Sequence, residues 1–249
     1  MKQLTIFKIG GKIIDDKLAL EETIKKFCKI EDPKILVHGG GTLATQLAEK
    51  LGLQTKMLDG RRITDKETIK MVTMVYAGLI NKEIVALLQK YGCNAIGLSG
   101  ADGNIIPAHK RKPNPIDYGF VGDIDPYSID ELAISSMLAR GLCPVFCPIT
   151  HDQDGQLLNT NADTMASSIA IALATNYSTE LFFDFDKKGV LYNANDPDSI
   201  IPLITSSSFE KLKEDNIISD GMIPKLQNAF YAINNGVKQV FINGTMIKK

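Results

Sequence analysis

The 249-residue chain has no tryptophan, only four cysteines and three histidines, and almost no net charge. Each scarcity excludes something. A formal net charge of -1, from 28 basic and 29 acidic residues, argues against a nucleic-acid surface or a polybasic membrane patch. With no Trp and aromatics at 7%, no stacking platform for bases is advertised. Cys28, Cys93, Cys143 and Cys147 lack a second ligand pair at zinc-site spacing. They read as buried apolar thiols. No apolar run approaches the ~18 residues that span a bilayer. The opening Met-Lys-Gln-Leu-Thr-Ile-Phe-Lys lacks a signal peptide's apolar stretch and small-residue cleavage site. A cytoplasmic protein is expected, with no nucleic-acid or membrane partner.

What is present is core-forming. Hydrophobic residues make up 44% of the chain, enough for one large core or two joined lobes. Short apolar runs alternate with helical patterns. Strands are predicted at Leu4–Ile9, Lys34–Val37, Ala95–Leu98, Cys143–Cys147, Glu180–Phe185 and Gln239–Ile242. Helices are predicted at Leu18–Ile30, Thr42–Leu51, Thr64–Tyr91, Ser128–Arg140, Asn161–Thr175, Ser206–Glu214 and Met222–Asn235. A Thr64-x-x-Glu67 capping box would open the longest. Residues 104–127, rich in Pro, Gly and Asp with the basic run His109-Lys-Arg-Lys112, read as hairpins or a flap. This alternation predicts an α/β sandwich with a largely parallel sheet. Ligands bind such sheets at the carboxyl ends of the strands.

The motifs sit there. Lys8-Ile-Gly10-Gly11-Lys12 follows the first strand. It is either a phosphate-approaching turn with a lysine at the strand end, or a tight turn with a solvated lysine. His38-Gly39-Gly40-Gly41 follows the second strand and opens a helix, where backbone N–H groups and the helix dipole favour an anion. Asp59-Gly60-Arg61-Arg62 offers guanidinium forks to a carboxylate, or to solvent. Asn159-Thr-Asn161-Ala-Asp163 exceeds what N-capping alone needs. In Ser219-Asp-Gly221-Met222-Ile-Pro-Lys225 a lysine falls near a helix N-terminus, an electrostatically poor place for a cation. Asp184-Phe-Asp186-Lys-Lys188-Gly189 is a nucleotide-contact loop or a plain turn.

Taken in order over nearly the whole chain, these motifs resemble the amino-acid kinase family. The resemblance implies a three-layer αβα sandwich with two lobes: residues 1–174 holding an acylated amino acid and forming a homodimer, and residues 175–249 holding ATP. It implies ATP-dependent phosphorylation of the side-chain carboxylate of N-acetyl-L-glutamate, in arginine biosynthesis. N-succinyl-L-glutamate is the alternative acceptor, with Arg61 or the basic run as countercharge. Another activity within the same family, or a non-catalytic regulator on this fold, is the remoter alternative. By motif, Lys8, Asp163 and Lys225 would be catalytic, with Asp163 orienting both lysines. Gly40, Gly41, Arg62, Asn159 and Asn161 would bind substrate. Gly10, Gly11, Asp186, Lys188, Gly189, Gly221 and Met222 would contact ATP. Mg²⁺ would travel on the nucleotide without a dedicated protein cage. Thr42, Arg61 and Phe185–Gly189 depart from the family's usual pattern.

Overall fold

The first strand sets the architecture. In β1 (Lys2–Ile9), alternation sends Leu4 and Ile6 to one face of the sheet and Ile9 to the other. Both faces are buried, so both must be covered by helices. This computed structural model describes residues 1–53, 56–58, 61–218 and 222–249. Asp59, Gly60, Ser219, Asp220 and the candidate Gly221 lie outside the described residues.

The remaining main strands are β2 (Lys34–His38), β3 (Ala95–Leu98), β4 (Cys143–Phe146), β5 (Tyr177–Asp184), β6 (Leu203–Thr205), β7 (Gln239–Ile242) and β8 (Thr245–Lys248). They form one eight-stranded sheet in the order β6-β8-β7-β5-β1-β2-β4-β3. Every pairing is parallel except β7 with β8. Strands from residue 177 onward occupy one half of the sheet, and earlier strands the other.

The helices are α1 (Gly11–Asp15), α2 (Lys17–Cys28), α3 (Gly41–Lys50), α4 (Lys66–Thr73), α5 (Asn81–Lys90), α6 (Glu131–Ala139), α7 (Ala162–Leu173), α8 (Ser206–Glu214) and α9 (Ile223–Asn234). Side chains of α6 to α9 pack with Leu4, Ile6, Val37, Phe146 and Phe183 on one face. Those of α1 to α5 pack with Ile9, Leu36 and Val145 on the other. The predicted three-layer αβα sandwich is therefore present.

The long helix differs from its prediction. Asp65, not Thr64, caps it, accepting from Thr68 N at 2.8 Å. Thr64 is otherwise engaged: its hydroxyl donates to Arg62 O and accepts from Asn159 Nδ2, each at 3.0 Å. Between α4 and α5 the chain makes a π-helical stretch, Met74–Ile80. The run Lys66–Lys90 has the length and apolarity of a membrane span, contrary to the reading by unbroken runs. The core helix of a soluble protein passes the same test, and Val72, Val75, Ile84 and Leu88 are buried in the core. Residues 104–127 contain the expected hairpin, His109–Lys110 against Gly122–Asp123, closed by an Arg111–Asp123 ion pair.

Ile6 is fully buried at the centre of the sheet. Ile6→Ala is expected to cost about 2–5 kcal/mol, read from urea denaturation. A loss under about 1 kcal/mol would show that β1 is not the packed centre described.

Candidate active site

Four parallel strands end side by side at Ile9, His38, Phe146 and Asp184, and the glycine turns lie just beyond. Gly40 has φ of 145°, and a Cβ there would come within 2.3 Å of Ile80 Cδ1. Only glycine fits between this turn and the π-helical stretch. A Cβ on Gly11 would lie 3.5 Å from Gly41 N and 3.7 Å from Gly40 N. The uncapped starts of α1 and α3 therefore face each other. Their amides and dipoles converge, an arrangement that favours negative charge. The Gly10 N–H donates to Asp184 O at 2.8 Å.

Beside the turns stands a buried charge triad. Lys225 donates to Asp163 Oδ2 at 2.7 Å, and Lys8 Nζ lies 2.6 Å from Asp163 Oδ1. Alternation places Lys8 on the same face as Leu4 and Ile6, under α7. Asp163 and Lys225 lie in the first turns of α7 and α9. Burial pushes the Asp163 carboxyl up, but the two ammonium groups outweigh it and hold the group well below the carboxylate range. Lys8 is pushed down, chiefly by burial and then by Lys225, against the pull of Asp163.

A cavity of about 160 Å³ adjoins the triad, since Ala162 on its wall precedes Asp163. Gly40, Gly41, Arg61, Arg62, Asn159 and Asn161 also line it. Arg62 is held by hydrogen bonds from Nη2 to Gly41 O at 2.9 Å and to Thr45 Oγ1 at 2.8 Å. Asn161 caps α7, its Oδ1 accepting from Thr164 N at 2.9 Å. Tyr76 and Met57 are wall residues that the sequence did not flag. Tyr76 sits in an apolar helical run and reads as core.

The residues expected to contact nucleotide are more dispersed. Asp186 pairs with Lys12 at 2.8 Å, tying the loop after β5 to α1. Lys188 pairs with Asp198 at 2.6 Å. A Cβ on Gly189 would lie 2.9 Å from both Ile200 and Thr245, so close packing alone accounts for glycine there. Met222 caps α9. Among the described residues, no three His, Cys, Asp or Glu side chains are placed to hold a metal ion.

A second network lies beneath the glycine turn. His38 Nδ1 is 2.8 Å from Gly39 O, and Asn81 Nδ2 is 3.2 Å from His38 Nε2 and 3.0 Å from Val145 O. These partners assign the proton to Nδ1 of a neutral ring. Burial lowers the His38 pKa from 6.5 to about 4.

Residues 3–243 match the model of the Amino acid kinase family. The chain is 51% identical to a protein named acetylglutamate kinase from Phocaeicola vulgatus, over 100% of this chain and 99% of that one. It is 36% identical to one from Methanopyrus kandleri, covering 96% and 94%. Among solved structures, smu.665 from Streptococcus mutans UA159 superposes with a TM-score of 0.85 at 27% identity, covering 100% and 99%. N-acetylglutamate synthase from Neisseria gonorrhoeae shares the fold, with a TM-score of 0.79 at 19% identity, over 100% of this chain and 59% of that one.

The His38 network predicts a pH effect. Above pH 6.5 both folded and unfolded chains hold His38 neutral. As pH falls from 6.5 to about 4, the unfolded chain takes up a proton that the folded one refuses. Stability should drop across that window by about 3 kcal/mol. Urea melts of wild type and His38→Gln at both pH values should show a shallower loss in the variant, and equal losses would refute the account.

Proposed function

The chain belongs to the amino acid kinase family, and from that premise we propose that it transfers the γ-phosphoryl group of ATP to the side-chain carboxylate of N-acetyl-L-glutamate, a step of arginine biosynthesis. The observation that carries the reading is the buried Lys8–Asp163–Lys225 triad beside two facing helix starts. Phosphoryl transfer demands positioning and charge stabilisation more than covalent chemistry. The acceptor is already an ionised carboxylate. Its oxygen attacks the γ-phosphorus, the bond to the β-phosphate bridging oxygen breaks, and ADP leaves without any general base.

Each group has a role in that step. Lys8 and Lys225 neutralise charge on the transferring oxygens, and Asp163 holds both ammonium groups in place. Arg62 and Asn159 take the carboxylate and amide end of the acylated amino acid in the cavity of residues 1–174. Asn161 stands at its edge, and Gly11, Gly40 and Gly41 offer amides to phosphate and substrate. Residues 175–249 hold the nucleotide, over the loop with Asp186, Lys188 and Gly189 and the segment of Gly221 and Met222. Any Mg²⁺ would ride on the nucleotide phosphates, since the described side chains offer no cage. Exposed Met74 and Leu79 on the Lys66–Lys90 run suit burial against a second copy, and we assign a homodimer in the cytoplasm.

One observation favours a second acceptor, N-succinyl-L-glutamate. Its extra carboxylate needs a countercharge, and Arg61 lines the cavity. Arg111 of the basic run pairs with Asp123.

Coupled ADP release measured with N-acetyl-L-glutamate, N-succinyl-L-glutamate and L-glutamate tests the reading. Turnover is expected with the acetylated acid and not with free glutamate. Lys8→Ala and Lys225→Ala should each lower kcat ~10²–10³-fold with modest change in KM. Near-normal kcat in either variant would remove its role. A higher kcat/KM for the succinylated acid, abolished by Arg61→Leu, would replace the acceptor.

A further inference from the structure

The opposite end of the sheet, where the parallel strands begin, holds a group of thiols that the kinase chemistry does not use. A cavity of about 330 Å³ opens there among Lys2, Lys34, Asn94 and Gly141, and Cys93 and Cys143 both line it. Cys93 precedes β3. Cys143 opens β4, pairs with Ala95, and donates its N–H to Asn94 O at 2.8 Å. The two thiols are neighbours, and Cys28 at the end of α2 adjoins Cys93.

A held cation lies alongside. Lys34 Nζ donates to the carbonyls of Phe27, Cys28 and Ile30 at 3.1, 3.0 and 2.6 Å. The Cys143 thiol beside Cys93, against the effect of burial and with help from Lys34, draws the Cys93 thiol below its ordinary value. Cys143, flanked by Cys93 and buried, is pushed up, so its proton leaves only as its sulfur attacks. Cys147 is held at about 12 by burial. Both thiols line one cleft, where the one that loses its proton more readily is the better nucleophile.

We propose that Cys93 is a peroxide-reactive thiol and that Cys143 resolves it to an intramolecular disulfide. The Cys93 thiolate attacks the O–O bond of hydrogen peroxide, giving a sulfenic acid and hydroxide, which leaves as water with the proton Cys93 gave up. The Cys143 sulfur then attacks the Cys93 sulfur. The S–O bond breaks, and the hydroxide departs with the Cys143 proton as a second water. Two thiols are oxidised and one peroxide is reduced to two waters. The product tethers the turn after α5 to the start of β4, far from the glycine turns.

The test uses the full-length protein, freed of reductant, exposed to hydrogen peroxide, alkylated under denaturing conditions and mapped by peptide mass. The expected result is a dithiothreitol-reversible Cys93–Cys143 cross-linked peptide, with Cys93 oxidised at least about tenfold faster than Cys147. Cys143→Ser should leave a Cys93 sulfenic acid that dimedone captures, while Cys147→Ser should react as wild type does. Equal oxidation rates at Cys93 and Cys147, or a disulfide joining Cys93 to Cys28, would overturn the proposal. The wild-type map alone decides this should Cys143→Ser fail to fold.

Discussion

One carboxylate between two ammonium groups, out of water, is the constraint on which the rest of the site depends. Each of the three charges would be costly to bury alone. Together, at 2.6 and 2.7 Å, they leave one net positive charge at the ends of the parallel strands. The three residues come from β1, α7 and α9, so they meet only when the sandwich is assembled. The charge geometry is therefore a property of the whole fold, and its surplus positive charge suits an anion arriving from solvent.

The glycine turns depend on the same packing. The π-helical stretch brings Ile80 and Tyr76 against Gly40, and Asn81 just beyond it reaches the neutral His38 under the turn. A widened helical turn at a functional site is a recurring use of this geometry. Here it presents apolar side chains to one glycine and an amide to the residue two positions earlier. The glycine turn is thus braced from the helix side by packing and from the sheet side by hydrogen bonds.

Much of this was legible in the sequence because long apolar strands and glycine turns leave local signatures. Ala95–Leu98 and Ser206–Glu214 were predicted with the bounds the structure shows. The short strands Leu203–Thr205 and Thr245–Lys248 were not, being too short to show a period. The Thr64 capping box failed because the hydroxyl is bound by Asn159, a partner 95 positions away. The π-helical stretch was hidden because its apolar spacing resembles that of an α-helix. Lys8, Asp163 and Lys225 were each ambiguous locally, and only their convergence distinguishes them from a turn lysine, a cap neighbour and a misplaced cation.

The central claim is that Asp163 serves charge placement and not folding. Asn at its helix-start position keeps a polar side chain of the same shape while removing the charge that holds both lysines. Measuring kcat for ATP turnover and Tm on the same preparation of Asp163→Asn tests this most directly. The account predicts a kcat reduced by ~10²-fold or more with Tm close to wild type. A collapsed Tm with the remaining folded protein still turning over at the wild-type rate would contradict it.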